Sequence, residues 1–413
     1  MTTELPVAYA MDDPALLRDP FGEFSKIREQ APVVRAEMTG VGPLWTITRY
    51  EDVKQVLSDP RFVINPADVP GMDVPNLARK SMDVRGVPPE YQKYLVSTIL
   101  DFDGADHVRL RKLVSRAFTV RRIADLRPRV ETVADELLAA LPEHAEDGVV
   151  DLLEHFAYPL PIIVICELVG IPEEDRGLWR EASETLVSSY GPAFGEAIAS
   201  LVDYIEALIA RRRAEPADDL ISALIHAQDE DGDRLSDVEM TTMVFTLVLA
   251  GHETTAHLIG NGTLALLTHP DQLALLRSDP DLLPGAVQEL LRWGGTALIT
   301  RMRYAAEDVE IGGTVVRRGE AVVPILASAN YDPRRFDDPD RLDVTRSPEG
   351  RRETHVAFAH GAHYCLGAAL AKQEGEVAFG ALLRHFPDLA LGGEPERQLM
   401  PGAWRLARLP VRL

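Results

Sequence analysis

Thiols are nearly missing from this chain: of 413 residues only Cys166 and Cys365 are cysteine. Two cysteines make no disulfide framework, which agrees with a reducing compartment. Long apolar runs are missing too. No stretch approaches the roughly 20 residues that span a bilayer, and residues 1–13 have neither a basic start nor an apolar segment. The chain is therefore expected to be cytoplasmic, with no membrane partner. There is no basic surplus: 43 Lys and Arg stand against 65 Asp and Glu, a formal net charge of -22. That balance argues against nucleic acid as a partner. Internal repeats and low-complexity segments are absent, and apolar residues continue without a gap, so residues 1–413 read as a single domain.

What is present reads as mainly helical with small sheets. Helical periodicity is expected at residues 50–58, 107–118, 123–141, 158–168, 173–189 and 193–213. Ser236-Asp237-Val238-Glu239 forms a capping box that opens the longest helix, running to about Thr268. Pro284 starts another helix, which ends at Gly294-Gly295. Strand signals occur at 44–48, 297–304, 309–316 and 321–326, and residues 398–413 look like a closing hairpin. Between 61 and 100 the periodicity fails at a series of prolines and glycines, the mark of a binding loop or lid. Asp229-Glu230-Asp231-Gly232-Asp233 reads as a surface turn, its glycine being misplaced for a calcium loop. Residues 107–122 hold Arg109, Arg111, Lys112, Arg116, Arg121 and Arg122 without one acid, a local basic patch in an acidic chain.

Cys365 stands between two glycines in Phe358-Ala359-His360-Gly361-Ala362-His363-Tyr364-Cys365-Leu366-Gly367, at the opening of a helical run. There it faces open backbone N–H groups and the positive end of the helix dipole, which favour a thiolate and hence a metal ligand. Zinc held by His360, His363 and Cys365 is one reading; an axial ligand to haem iron is another. Cys166, in an apolar run, reads as core. The long helix carries a second anomaly, Ala250-Gly251-His252-Glu253-Thr254-Thr255. Glycine and threonine are poor helix formers, and local rules broken inside a well-capped helix point to a functional site. Gly251 suggests close approach to the backbone, Thr254 can bond a carbonyl one turn back, and Glu253 can carry a proton. His252 and His257 resemble a zinc-protease pair but stand five apart, about 140° around the helix, too far for one metal. Gly260-Asn261-Gly262 lies inside a helix, the wrong setting for a dinucleotide loop.

The cysteine stretch resembles the haem-binding loop of the cytochrome P450 superfamily, matching it at Phe358, Gly361, His363, Cys365 and Gly367, with Ala359 where the family usually has glycine. The resemblance implies the fold of that family, with haem b between the long helix and the helix after Cys365. It implies Cys365 as the iron ligand, and Glu253 and Thr254 as the acid and alcohol of a proton relay. By the same resemblance His107, Arg111, Arg303 and His363 would meet the haem propionates, with Arg301 an alternative to Arg303. Glu289, Arg292 and Arg341 would form the family's structural ion-pair network. Leu247, Ala250, Leu298, Ile299 and Met400 are expected to line an apolar pocket, with the 64–99 loop and the segment near Tyr190 close by. The reaction implied is oxidation of an apolar natural-product-type small molecule with O2, hydroxylation being the first reading and oxidative coupling of aromatic rings without oxygen insertion the second. A haem sensor or electron carrier is a third, less suited to a proton relay. Ferredoxin and ferredoxin reductase would supply electrons, docking on Arg109, Lys112 and Arg116.

Overall fold

The computed structural model describes residues 8–73, 86–188, 191–227, 232–346 and 353–413. Their contacts divide the chain into two compact units. One comprises Met1–Asp73, Val130–Pro159 and Thr254–Leu413; the other comprises Val74–Arg129 and Leu160–Glu253. The chain is mainly helical, and every described strand belongs to the first unit.

The larger sheet of that unit has six strands, in the order Tyr9–Ala10, Val33–Met38, Gly42–Ile47, Ala321–Pro324, Arg303–Ala305 and Phe62–Val63. Val33–Met38 and Gly42–Ile47 pair antiparallel across a short turn, and Trp45 stands opposite Val322 in a parallel pair. The sheet buries Val33, Trp45, Ile47 and Val322 against Tyr50, Val53, Val56 and Leu57 of helix Tyr50–Ser58. This apolar layer fixes the end of that helix, which in turn supports the cysteine loop.

The long helix spans Asp237–Thr268, and the boundary between the units falls within it, after Glu253. Its capping box is formed: the Ser236 N–H donates to Glu239 Oε2 at 2.8 Å and the Glu239 N–H to Ser236 Oγ at 3.3 Å. In the strand-bearing unit its second half packs closely on helix Ala368–His385. A side chain at Gly262 would meet the Phe379 ring at 2.4 Å, and one at Gly375 would meet Leu258 at 3.3 Å. These glycines explain why an interior that propensity disfavours remains helical.

Several expected elements differ. The 123–141 helix is two, Val120–Asp125 and Arg127–Ala140. Of the 297–304 strand only Arg303–Ala305 forms, with isolated bridges at Ala297 and Ile299. Residues 309–316 fold back as a hairpin because Gly312 and Gly313 adopt positive φ. The irregular 61–100 stretch contains a helix, Pro89–Leu95, whose two turns are too short to show a clear period. The closing hairpin pairs Glu396–Met400 with Ala403–Arg408, while Pro410–Arg412 leaves it to pair with Val149–Asp151. The acidic stretch at 229–231 and the segment at Tyr190 lie outside the described residues.

Candidate functional site

Cys365 is exposed, three residues before helix Ala368–His385, with Gly367 at its N-cap. The loop before it folds on itself: the Ala359 N–H donates to Val356 O, the Tyr364 N–H to Gly361 O and the Cys365 N–H to Phe358 O, at 2.9, 3.1 and 3.0 Å. Gly361, at φ 75°, has Leu57 O and Ser58 Cα within 2.5 and 3.0 Å of where a Cβ would stand. Helix Tyr50–Ser58 therefore presses directly on the loop, and only glycine fits. Above Gly367 nothing lies within 4 Å of the same point. Ala359 has φ 61°, the left-handed region that alanine disfavours by about 1–2 kcal/mol.

Beneath the loop lies a buried charge network. Arg292 and Glu289, each 2% exposed, form a two-pronged pair, Nε to Oε2 and Nη2 to Oε1, both 2.7 Å. Arg292 also donates to Asn330 O at 2.9 Å and Pro339 O at 2.8 Å. The third charge is a correction: Arg341 is exposed and contributes only its carbonyl, 3.3 Å from Arg292 Nη2. Arg346 supplies the guanidinium, its Nε 3.1 Å from Glu289 Oε1, because its chain turns back over the carbonyls of Asp337 and Asp338. Asn330 Oδ1 accepts the Val356 N–H at 2.8 Å and so carries the network into the loop. His355 does the same: its Nδ1 accepts the Ala357 N–H at 3.1 Å, so its Nε2 donates to Gln288 Oε1 at 2.8 Å. Burial, with Lys372 and Arg292 nearby, pushes its pKa down to about 3.

Along the long helix, Ala250 and Thr254 are exposed one turn apart, Leu247 and Glu253 are half-buried, and Val248, His252 and Thr255 are buried. Gly251 makes room for the Ile165 side chain, 3.2 Å from where its Cβ would stand, so a protein side chain accounts for the close approach. Sequence reading passed over Glu374, fully buried on helix Ala368–His385. Burial pushes its carboxyl pKa far up despite a hydrogen bond with Thr255. An acid inside an otherwise apolar helical stripe was the available signal.

In the helical unit, His107 is buried and Arg111 half-buried one turn apart on Gly104–Ala117. In the strand-bearing unit Arg303 is buried, its Nη1 3.5 Å from Phe62 O, His363 is half-buried, and Arg301 is exposed. Arg109 does not face outward as a free docking group: it is paired to Asp233 and Glu239, the latter fixed by its capping box. Lys112 and Arg116 are exposed, and beside them stand Val108 and Val120, 62% and 77% exposed.

Leu298, Ile299 and Met400 come together. The Leu298 N–H donates to Gly402 O at 3.0 Å, and a Cβ at Gly402 would stand 2.7 Å from Ile299 Cδ1. Leu298 and Met400 face a cavity of about 10 Å³ shared with Met11, Leu16 and Phe24, room for one water-sized body. Among the described residues no three His, Cys, Asp or Glu side chains gather as metal ligands, so the zinc reading at His360, His363 and Cys365 has no donor set.

A family model described as Cytochrome P450 matches residues 180–407. The chain is 45% identical to Cytochrome P450 107B1 of Saccharopolyspora erythraea, over 100% of this chain and 99% of that one. It is 44% identical to the 6-deoxyerythronolide B hydroxylase of the same organism, over 96% of each. Among solved structures, the Bacillus subtilis bacillaene polyketide synthase cytochrome P450 PksS superposes with a TM-score of 0.87 at 36% identity, covering 98% of this chain and 99% of that one.

Proposed function

Because this chain belongs to the bacterial cytochrome P450 enzymes, oxidoreductases that bind haem, we propose that it is a single-domain monooxygenase using haem b, with Cys365 as the thiolate ligand to iron. The observation that carries this is the Cys365 loop: an exposed sulfur at a helix opening, beside open space at Gly367, on a backbone pinned to a buried charge network. These features fit a flat, iron-bearing group. When bound, the haem supplies the one-electron chemistry that splits O2 and places one oxygen atom in a C–H bond.

The chain's own residues do the rest. His107, Arg111, Arg303 and His363 compensate the two propionates at the edge of an apolar slot. Glu253 carries protons inward, and Thr254 holds water so that they reach oxygen in a site otherwise kept dry. Leu247, Ala250, Leu298, Ile299 and Met400 receive an apolar substrate. Relatives named for 6-deoxyerythronolide B and for bacillaene polyketide synthase support a polyketide-like compound. Electrons arrive from a ferredoxin and its reductase, docking on Lys112 and Arg116, whose charge opposes the overall -22. The reading includes a cytoplasmic location, in keeping with a chain of only two cysteines; no described helix is long and apolar enough to cross a membrane.

Thr254→Ala tests the reaction class. With a compound chosen by a spectral binding screen, haem spectra and affinity should be unchanged while product per electron pair falls at least about ten-fold and hydrogen peroxide rises to match. Unchanged coupling would remove Thr254 from proton delivery.

A further inference from the structure

Gly260-Asn261-Gly262 is no dinucleotide loop, yet three weak helix formers in a row inside helix Asp237–Thr268 need a reason. The glycines give part of it. A Cβ at Gly260 would stand 2.5 Å from Leu153 Cδ2 and 3.6 Å from Leu406 Cδ1, and one at Gly262 would meet the Phe379 ring at 2.4 Å. The helix is therefore seated tightly at both neighbours of Asn261, which is itself buried, two turns beyond Thr254.

A buried amide needs partners for its donors and its acceptor. Asn261 finds them on other segments of the strand-bearing unit. Its Nδ2 donates to Trp404 O at 2.9 Å and to Gly294 O at 3.4 Å, and its Oδ1 accepts from Arg397 Nη1 at 3.2 Å. Arg397 in turn lies over the Trp404 ring, its guanidinium carbon 3.7 Å from the centroid. Both strands of the hairpin, Glu396–Met400 and Ala403–Arg408, and the end of helix Leu283–Trp293 thus meet at one side chain. A two-stranded hairpin is marginal alone in water, so its placement comes from such ties.

The far end of the hairpin carries the apolar wall. Met400 pairs with Ala403 across the turn, Ala403 bridges to Ala297, and the Trp404 N–H donates to Thr296 O at 2.9 Å. Together with the Leu298 bond to Gly402, these contacts make Leu298, Ile299 and Met400 move as the hairpin moves.

We propose that Asn261 is a positioning residue for substrate selection: with Arg397 and Trp404 it ties the hairpin to the long helix and so sets where the wall of Leu298, Ile299 and Met400 stands. An aspartate could not replace it, having no donor for the Trp404 and Gly294 carbonyls. The role in selection rests on the haem and pocket reading above; the tie itself does not.

The experiment compares the haem-loaded wild type with Asn261→Leu. Amide hydrogen exchange across residues 296–300 and 399–405 should quicken about ten-fold, while strand Val33–Met38 keeps its rate. Spectral titration with two azoles that ligate haem iron should then separate by reach. Binding of 4-phenylimidazole should weaken about five-fold, because a wall no longer pinned must be ordered by the ligand, and imidazole should bind as before. If Asn261→Leu does not fold, Arg397→Leu removes one tie and should give the same pattern. Unchanged exchange, or exchange that quickens equally in strand Val33–Met38, would overturn the tie. Locally faster exchange with unchanged or tighter 4-phenylimidazole binding, or with both azoles weakened equally, would overturn the role in selection. No azole spectrum in the wild type would contradict the haem reading, and exchange alone would then decide the tie.

Discussion

The cysteine loop and helix Pro89–Leu95 are both irregular stretches that must hold a shape, and they hold it by opposite means. The loop is tied from inside by buried Glu289, Arg292 and neutral His355, with half-buried Arg346 beside them. The short helix is tied from outside by tyrosine hydroxyls on exposed carboxylates. A buried ion pair is hard to open because each freed charge would remain out of water. An exposed hydrogen bond opens readily because water takes its place. The first holds a shape that resists opening; the second holds one that solvent can loosen.

Breaking the buried side of this contrast should have the largest effect. Arg292→Gln leaves Glu289 with a desolvated charge and two carbonyls without donors, so urea unfolding should show a loss of about 3–5 kcal/mol. Arg292→Lys should recover little, since one ammonium cannot serve the fork and the carbonyls together. A loss under about 1 kcal/mol for Arg292→Gln would mean that the network does not anchor the loop.

His355 sharpens the contrast through pH. Its folded pKa, near 3, lies below the ordinary 6.5, so the unfolded chain binds the extra proton first. Stability from this group is present above about pH 6.5 and is lost as pH falls toward 3, by up to about 1.4 kcal/mol per pH unit. His355→Gln should flatten the acid limb of the stability curve by about one proton over that window. An unchanged slope would mean that His355 is not held neutral.

The smallest effect concerns the one strained point in the loop. Ala359→Gly removes a left-handed penalty of about 1–2 kcal/mol but adds unfolded-state freedom of about 0.4–1 kcal/mol, for a net gain near 0.5 kcal/mol. A measured loss would show that the Ala359 methyl packs more than its backbone suffers.

Features carried by neighbouring residues were legible in the sequence. The Ser236–Glu239 box, the Glu289–Arg292 pair and the setting of Cys365 each depend on local spacing, and each has the expected local geometry. Features carried by distant residues were not. Arg346 replaces Arg341 because a turn returns its side chain to Glu289, which motif spacing does not encode. Arg109 looked like a free basic group until the fold brought Asp233 and Glu239 to it. Gly251 signalled close approach correctly, but its neighbour is Ile165. The Tyr91–Asp203 contact joins two stretches over a hundred residues apart, one without visible periodicity.

The central claim is that Cys365, on its anchored loop, is the sulfur that binds iron. The most direct measurement is the carbon monoxide difference spectrum of the reduced protein for Cys365→Ser and Cys166→Ala. Cys166 is buried and its thiol is pushed up to about 12, so it is no source of thiolate. Cys365→Ser should lose the red-shifted thiolate band while retaining some haem, and Cys166→Ala should keep the band intact. A band that survives in Cys365→Ser and disappears in Cys166→Ala would contradict the account.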